Sequence, residues 1–200
     1  MTIHIDTDHL ILPFYRIFIL SSLIAGMIVL FRLCSKRGIP TKKNLLLLAL
    51  IPTSSWSCAF LYTFIRSGGK NLGLSSVGAA IGVYLAAIAT SLLIPRIGDR
   101  NVLLQNCTFA MPLMYSIAKL GCLFAGCCHG VEYDGIFHIE YSGEKNGNIC
   151  VFPIQLLESA VFLAIFIAGM IMLKKRNKYS VKIVLIISVC AKFSLSFLRE

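Results

Sequence analysis

Long apolar runs dominate this chain and mark out six helices, at 10–31, 45–65, 74–94, 102–126, 153–173 and 182–198. Each is close to the roughly 20 mostly apolar residues that a membrane-crossing helix needs. The second and third runs hold no charged residue. The first is interrupted only by Arg16, the fourth by Lys119 and the fifth by Glu158, while the sixth opens on Lys182 and holds Lys192. A soluble helical bundle would show polar faces at helical spacing, and 45–65 has none. The pattern therefore predicts an all-α polytopic membrane protein: a single transmembrane domain over 1–200 with about six transmembrane helices.

Between the fourth and fifth runs lies the one long hydrophilic segment, predicted as a small extracytoplasmic cap over 127–150. Within it Phe137, Ile139 and Tyr141 alternate with polar residues, which suggests a short strand or hairpin, followed by a turn-rich stretch at 142–147. Pro52 and Pro112 fall inside helices, where membrane proteins tolerate them. Pro153 opens the fifth helix, where its missing N–H costs little.

Composition agrees with this pattern. The 200 residues are 57% hydrophobic and 14% charged, against about 45–50% and about 25% in soluble domains. The net charge of +10 does not indicate nucleic acid, because the cations cluster in short loops between apolar runs, the positive-inside pattern. Arg32, Lys36, Arg37, Lys42 and Lys43 follow the first run, Arg96 and Arg100 the third, and Lys174, Lys175, Arg176, Lys178 and Lys182 the fifth. The alternate loops hold only Arg66 and Lys70, then Lys145. The N-terminus is thus expected outside. It does not read as a secretory signal, since residues 1–15 carry no Lys or Arg and the positive charge follows the apolar run.

Ionisable groups within the bilayer are costly and mark functional sites by default. With this topology Arg16, Lys119, Glu158, Lys192 and Arg199 all fall in its outer half. Lys119, Cys122 and Gly126 share one helix face, as do Gln155, Glu158 and Ser159, and Lys192, Ser196 and Arg199. Cations converging at that depth suit an anionic lipid headgroup. For Arg16 and Arg199 taken alone, snorkelling to the interface is the better account, and a structural ion pair is the alternative for Glu158 with a lysine. Gly78 and Gly82 form a Gly-x-x-x-Gly that favours close helix packing.

Of the eight cysteines, Cys58, Cys107 and Cys190 lie within apolar runs as small hydrophobes, and Cys34 in a basic loop. Cys122, Cys127, Cys128 and Cys150 fall near the outer side, with His129 beside them. Three readings stand side by side: a zinc site, although Cys-x-x-Cys spacing is absent; a disulfide from Cys150 to Cys127 or Cys128; and a reactive thiol or thiol–His pair. No metal is assigned.

The segment Ala118-Lys-Leu-Gly-Cys-Leu-Phe-Ala-Gly-Cys-Cys-His-Gly130 resembles the defining motif of prolipoprotein diacylglyceryl transferases, approximately Gly-Arg-Ile-Gly-Asn-Phe-x-Asn-x-Glu-x-x-Gly. Variants reading Gly-Arg-Ile-Gly-Cys-Phe-x-x-Gly-Cys-Cys-Tyr-Gly are more similar still. Phe152-Pro-Ile-Gln-Leu-Leu-Glu158 resembles the family's His-Pro-x-Gln-Leu-Tyr-Glu. Cys190-Ala-Lys-Phe-Ser-Leu-Ser-Phe-Leu-Arg199 resembles Gly-x-x-Arg-Phe-x-x-Glu-Phe-x-Arg, and Val77-Gly-Ala-Ala-Ile-Gly82 resembles His-Gly-Gly-x-Ile-Gly. These elements occur in family order over roughly 74–200.

The resemblance implies transfer of the diacylglyceryl group of phosphatidylglycerol to the lipobox cysteine thiol of a preprolipoprotein, at a bacterial plasma membrane and without a cofactor. It implies substrate contacts at Gly78, Lys119, Gly121, Cys122, Gly126, Gly130, Gln155, Lys192 and Arg199, with His129 or Glu158 as base. Lys119 and Lys192 stand where the family has Arg, Val77 replaces a His, Cys122 an Asn, Cys127 a Glu and Ser196 another Glu. A further helix is expected beyond Glu200, so the chain reads as truncated or as a reduced member. Two rival readings remain: a non-catalytic or repurposed homologue that binds anionic lipid, and a membrane thiol or metal protein built on Cys122, Cys127, Cys128 and His129.

Overall fold

The computed structural model describes residues 2–6, 11–70, 73–96, 98–133, 135–142, 149–177 and 179–199. Lys145, Lys178, Asp134 and most of the turn-rich stretch at 142–147 lie outside these residues. The elements run β1 (Thr2–Asp6), α1 (Ile11–Lys36), α2 (Thr41–Arg66), α3 (Ser76–Leu93), α4 (Asp99–Phe124), β2 (His138–Ser142), β3 (Ile149–Val151), α5 (Ile154–Lys174) and α6 (Ser180–Ser196). Five of the six helices, α1 to α5, are long and apolar enough to cross a membrane. α6 has 17 residues, about 26 Å of helix at 1.5 Å per residue. Turns with i→i−3 bonds from Phe197, Leu198 and Arg199 prolong it. Leu20, Ile24, Leu61, Ile65, Leu92 and Ile186 all face outward. Such extensive apolar surface is foreign to a soluble monomer and ordinary in lipid. The protein is an all-α polytopic membrane protein.

The chain forms two compact units. The first comprises Met1–Ala25 and Pro112–Glu200, the second Gly26–Met111.

In the second unit α2 and α3 pack closely because Gly78 and Gly82 lack side chains. A Cβ at Gly78 would sit 2.8 Å from Ala59 Cα, and one at Gly82 would sit 2.5 Å from Ser55 Cα. The basic loops here are shorter than the apolar runs predict. α1 continues to Lys36 and α2 starts at Thr41, so the loop reduces to 37–40. Three cations in and around it are engaged: Lys43 is fully buried with Nζ 3.1 Å from Asp99 Oδ2, Arg37 donates to Gln105, and Arg96 donates to the Gly38 carbonyl.

The first unit holds the cap. The alternating segment becomes β2, which pairs antiparallel with β3 and parallel with β1. Ile139 and Tyr141 are buried with Leu123 and Val151, whereas Phe137 lies ahead of the strand and is exposed. The apolar-run reading did not anticipate β1, although Ile3 and Ile5 alternate with polar residues. Beneath the sheet α4, α5 and α6 meet around Ile154, Phe162, Leu195 and Tyr115.

Candidate active site

The first turns of α5 organise the centre of the first unit. Gln155, Glu158 and Ser159 stand at i, i+3 and i+4, so they share a helix face, and all three are buried. Each reaches a different part of the surrounding structure. Gln155 Nε2 donates to the Cys127 carbonyl at 3.1 Å and to the Tyr141 hydroxyl at 3.4 Å. Ser116 Oγ donates to the Ser159 carbonyl at 2.8 Å. Glu158 receives the cations.

Lys119 from α4 places its Nζ 2.6 Å from Glu158 Oε2, and Lys192 from α6 places its Nζ 2.9 Å from Oε1. The Tyr115 hydroxyl donates to the same Oε1 at 2.8 Å, and Lys192 also donates to that hydroxyl. Both ammonium groups lie against the Tyr115 ring, at 5.4 and 4.8 Å from its centroid, in the range of a cation–π contact. The Phe162 ring, 4.3 Å away, steadies Tyr115. A lone charge in such a place would be costly, and pairing makes it tolerable. Two lysines against one carboxylate leave an excess positive charge. Arg199 adds to it, since its guanidinium acts electrostatically on Glu158, Tyr115 and Cys128. The lysines differ in access: the Lys119 side chain is 5% exposed, that of Lys192 27%.

The end of α4 carries the cysteines. The Cys127 N–H bonds back to the Cys122 carbonyl and the Gly126 N–H to the Leu123 carbonyl, with Gly126 at φ +59°. This is a Schellman turn with glycine at its left-handed position. Such turns bring the residue after the glycine against the one five earlier, here Cys127 against Cys122. Cys128 also takes a left-handed backbone, φ 58°, which costs a non-glycine residue about 1–3 kcal/mol. The result is a cluster in which the Cys122, Cys127 and Cys128 sulfurs all lie within 4.8 Å of one another. Hydrogen bonding with Cys122, then with Cys127, holds the Cys128 thiol well below the usual thiol range; burial opposes this, and Lys119 and Arg199 reinforce it. Cys122, Cys127 and Cys128 are thiols rather than halves of a disulfide, so the expected bridge from Cys127 or Cys128 to Cys150 is not formed.

The remaining candidates frame this centre. Gly121 lets α1 approach, as a Cβ there would meet Phe18 Cβ at 2.9 Å. Gly130 is wedged between backbones: its Cβ would fall 2.7 Å from the Phe152 carbonyl oxygen and 3.1 Å from that of Leu198. Gly130 also forms a bridge with Arg199, which ties the cysteine turn to the end of α6. His129 is half-buried on that turn, with Nδ1 3.2 Å from the Gly130 carbonyl oxygen. Gly78 belongs to the second unit and packs against α2.

Lys119, Gly121, Cys122, Gly126, His129, Gly130, Gln155, Glu158, Lys192 and Arg199 thus all lie in the first unit. Sequence reasoning missed Tyr115 and Tyr141. Tyr115 stands four residues before Lys119, on the face already singled out. Tyr141 donates to the Leu123 carbonyl while accepting from Gln155. Nothing local in the sequence marks that role.

No curated protein matches the chain. A family model described as prolipoprotein diacylglyceryl transferase matches residues 2–200, a range that takes in both units and every residue of the site. Together with the membrane architecture, this match establishes that the chain belongs to the prolipoprotein diacylglyceryl transferase family.

Proposed function

We propose that the protein transfers the diacylglyceryl group of phosphatidylglycerol to the lipobox cysteine of a preprolipoprotein, in a bacterial plasma membrane. Its N-terminus faces outward, and the site opens toward the outer leaflet. The observation that supports this most is the convergence of Lys119 and Lys192 on Glu158, with Arg199 close by. An excess cation held at fixed positions in a low-dielectric setting suits the phosphate of a lipid headgroup.

In this reading Glu158 is a positioning residue. Its carboxylate keeps two like charges together, and Lys119, Lys192 and Tyr115 engage both its oxygens. A general base must reach the proton it removes, so His129 is the better of the two base candidates. Lys192, the more accessible lysine, and Arg199 meet the phosphate first. Negative charge grows on the glycerol phosphate as the bond between its oxygen and the glyceryl carbon breaks. Groups already aimed at that charge lower the barrier without reorganising.

The test is direct. The full-length protein is placed in vesicles containing phosphatidylglycerol with a lipobox peptide, and the peptide is weighed by mass spectrometry. A mass gain equal to one diacylglyceryl group supports the proposal. No gain in a folded, membrane-inserted preparation refutes it and leaves the reading of a lipid-binding homologue without catalysis.

A further inference from the structure

The phosphate cradle leaves unused three thiols that the end of α4 gathers at one place. We propose that Cys122, Cys127 and Cys128 hold a zinc ion whose open fourth position takes the acceptor cysteine and presents it as the attacking thiolate. This deepens the transferase reading above and rests on it.

The first support is geometric. The three sulfurs lie within 4.8 Å of one another. Tetrahedral thiolates about 2.3 Å from zinc stand about 3.8 Å apart, so small side-chain adjustments complete the site. The Cys-x-x-x-x-Cys-Cys spacing is not that of a zinc ribbon, but the chain compensates through the Schellman turn and the left-handed Cys128, which fold the second and third thiols back on the first.

The second support is the surrounding shell. Metal sites depend on outer groups that fix their ligands. Gln155 and Tyr141, both buried, anchor the carbonyls of Cys127 and Leu123 on this turn. Three thiolates and a divalent ion carry one net negative charge, and Lys119 and Arg199 act electrostatically on the Cys128 sulfur. Cations therefore stand ready on the side where charge must be offset.

The third support is chemical. Three protein ligands with a vacant position are the pattern of catalytic zinc, whereas structural zinc uses four. The thiolate is the nucleophile in sulfur chemistry, and a thiol bound to zinc is deprotonated by coordination. In the step itself the acceptor S–H proton is taken by His129, the base of the reading above, and passes on to solvent. A sulfur lone pair then forms the C–S bond to the glyceryl carbon. The C–O bond to phosphate breaks, and its electron pair leaves with glycerol phosphate. Nothing is oxidised or reduced.

The experiment uses the full-length protein, purified in detergent under reducing conditions. Zinc is counted per chain, and cobalt(II) is then substituted to read sulfur-to-metal charge transfer. We expect one equivalent of metal, and a stronger band when a lipobox peptide is added but not its Cys→Ser counterpart. Cys122→Ser, Cys127→Ser and Cys128→Ser should each weaken binding at least tenfold, while Cys190→Ser leaves it unchanged. Because a variant could misfold, wild-type protein is also stripped with a chelator and reloaded, which should abolish and then restore the peptide response. Absence of stoichiometric metal, wild-type metal content in the three variants, a disulfide within the cluster, or a band indifferent to the peptide thiol would each overturn the site. Lipid transfer that survives complete chelation would overturn the zinc proposal and leave the transferase reading standing. Metal and thiol coordination without lipid transfer would overturn the transferase reading instead.

Discussion

The ammonium of Lys119 stands 2.6 Å from the carboxylate of Glu158, and both side chains are closed off from the surface. Helices α4 and α5 thus share a buried ion pair, and Lys192 of α6 adds a second cation to the same carboxylate. The charge excess is useful only because Glu158 holds the two lysines near each other. Without it they would repel across a poorly screening interior.

Glu158→Gln keeps the shape of the side chain and removes its charge. Removing one partner of a buried pair costs about 3–5 kcal/mol, because the remaining charge is left uncompensated. Thermal unfolding of the variant in detergent should shift down sharply, and lipid transfer should fall with it. An unchanged unfolding temperature would show that the pair does not hold the helices together.

Lys43 and Asp99 offer a contrast in the second unit, where they form a buried pair of one cation with one carboxylate. Lys43→Met should destabilise the protein by leaving Asp99 alone, and the further change Asp99→Asn should recover much of the loss. The KM for phosphatidylglycerol should stay at the wild-type value in both. A raised KM would assign Lys43 a part in lipid binding.

Gly82→Ala tests the α2–α3 contact. In an open helix this change favours folding by about 1 kcal/mol. Here the added methyl meets Ser55 Cα at 2.5 Å, and such overpacking costs about 1–3 kcal/mol. Chemical denaturation should therefore show a loss of stability. A gain would mean that the helices stand further apart.

Much of this architecture is legible in the sequence, since lipid demands long apolar helices and tolerates little else. The boundaries of α3 and α5 fall within two residues of the apolar runs. The cap strand is legible through the alternation of Ile139 and Tyr141. Loop positions are less so, because charged residues such as Lys36 and Lys42 belong to helices once they leave the hydrocarbon. In the site, Lys119, Glu158 and Lys192 stand out because charge is rare in apolar runs. Their meeting at one carboxylate is a tertiary fact that helical spacing cannot deliver. The cysteines Cys122, Cys127 and Cys128 stand out in the sequence as candidates, but how they meet makes sense only once Gly126 is recognised as the left-handed residue of a helix-ending turn.

Gly126 therefore has a testable conformational role. An L-residue in the left-handed region costs roughly 1–2 kcal/mol, whereas Asn tolerates it better. Gly126→Ala should lower stability and change the rate at which Cys127 is labelled, whereas Gly126→Asn should keep both closer to wild type, as read by thermal unfolding and thiol labelling. Equal behaviour of the two variants would remove the turn from the account.

The most direct test of the account is the dependence of lipid transfer on the phosphatidylglycerol content of vesicles, compared for wild type, Lys192→Ala and Lys192→Arg. A hydrogen bond to a charged group contributes about 1.5–3 kcal/mol, so loss of the ammonium should cut kcat/KM by about ten- to a hundredfold. Arg keeps the charge and can grip phosphate through two N–H groups, so Lys192→Arg should retain most of the activity. Equal kcat/KM in the Ala variant and the wild type would contradict the claim that Lys119 and Lys192 receive the lipid phosphate.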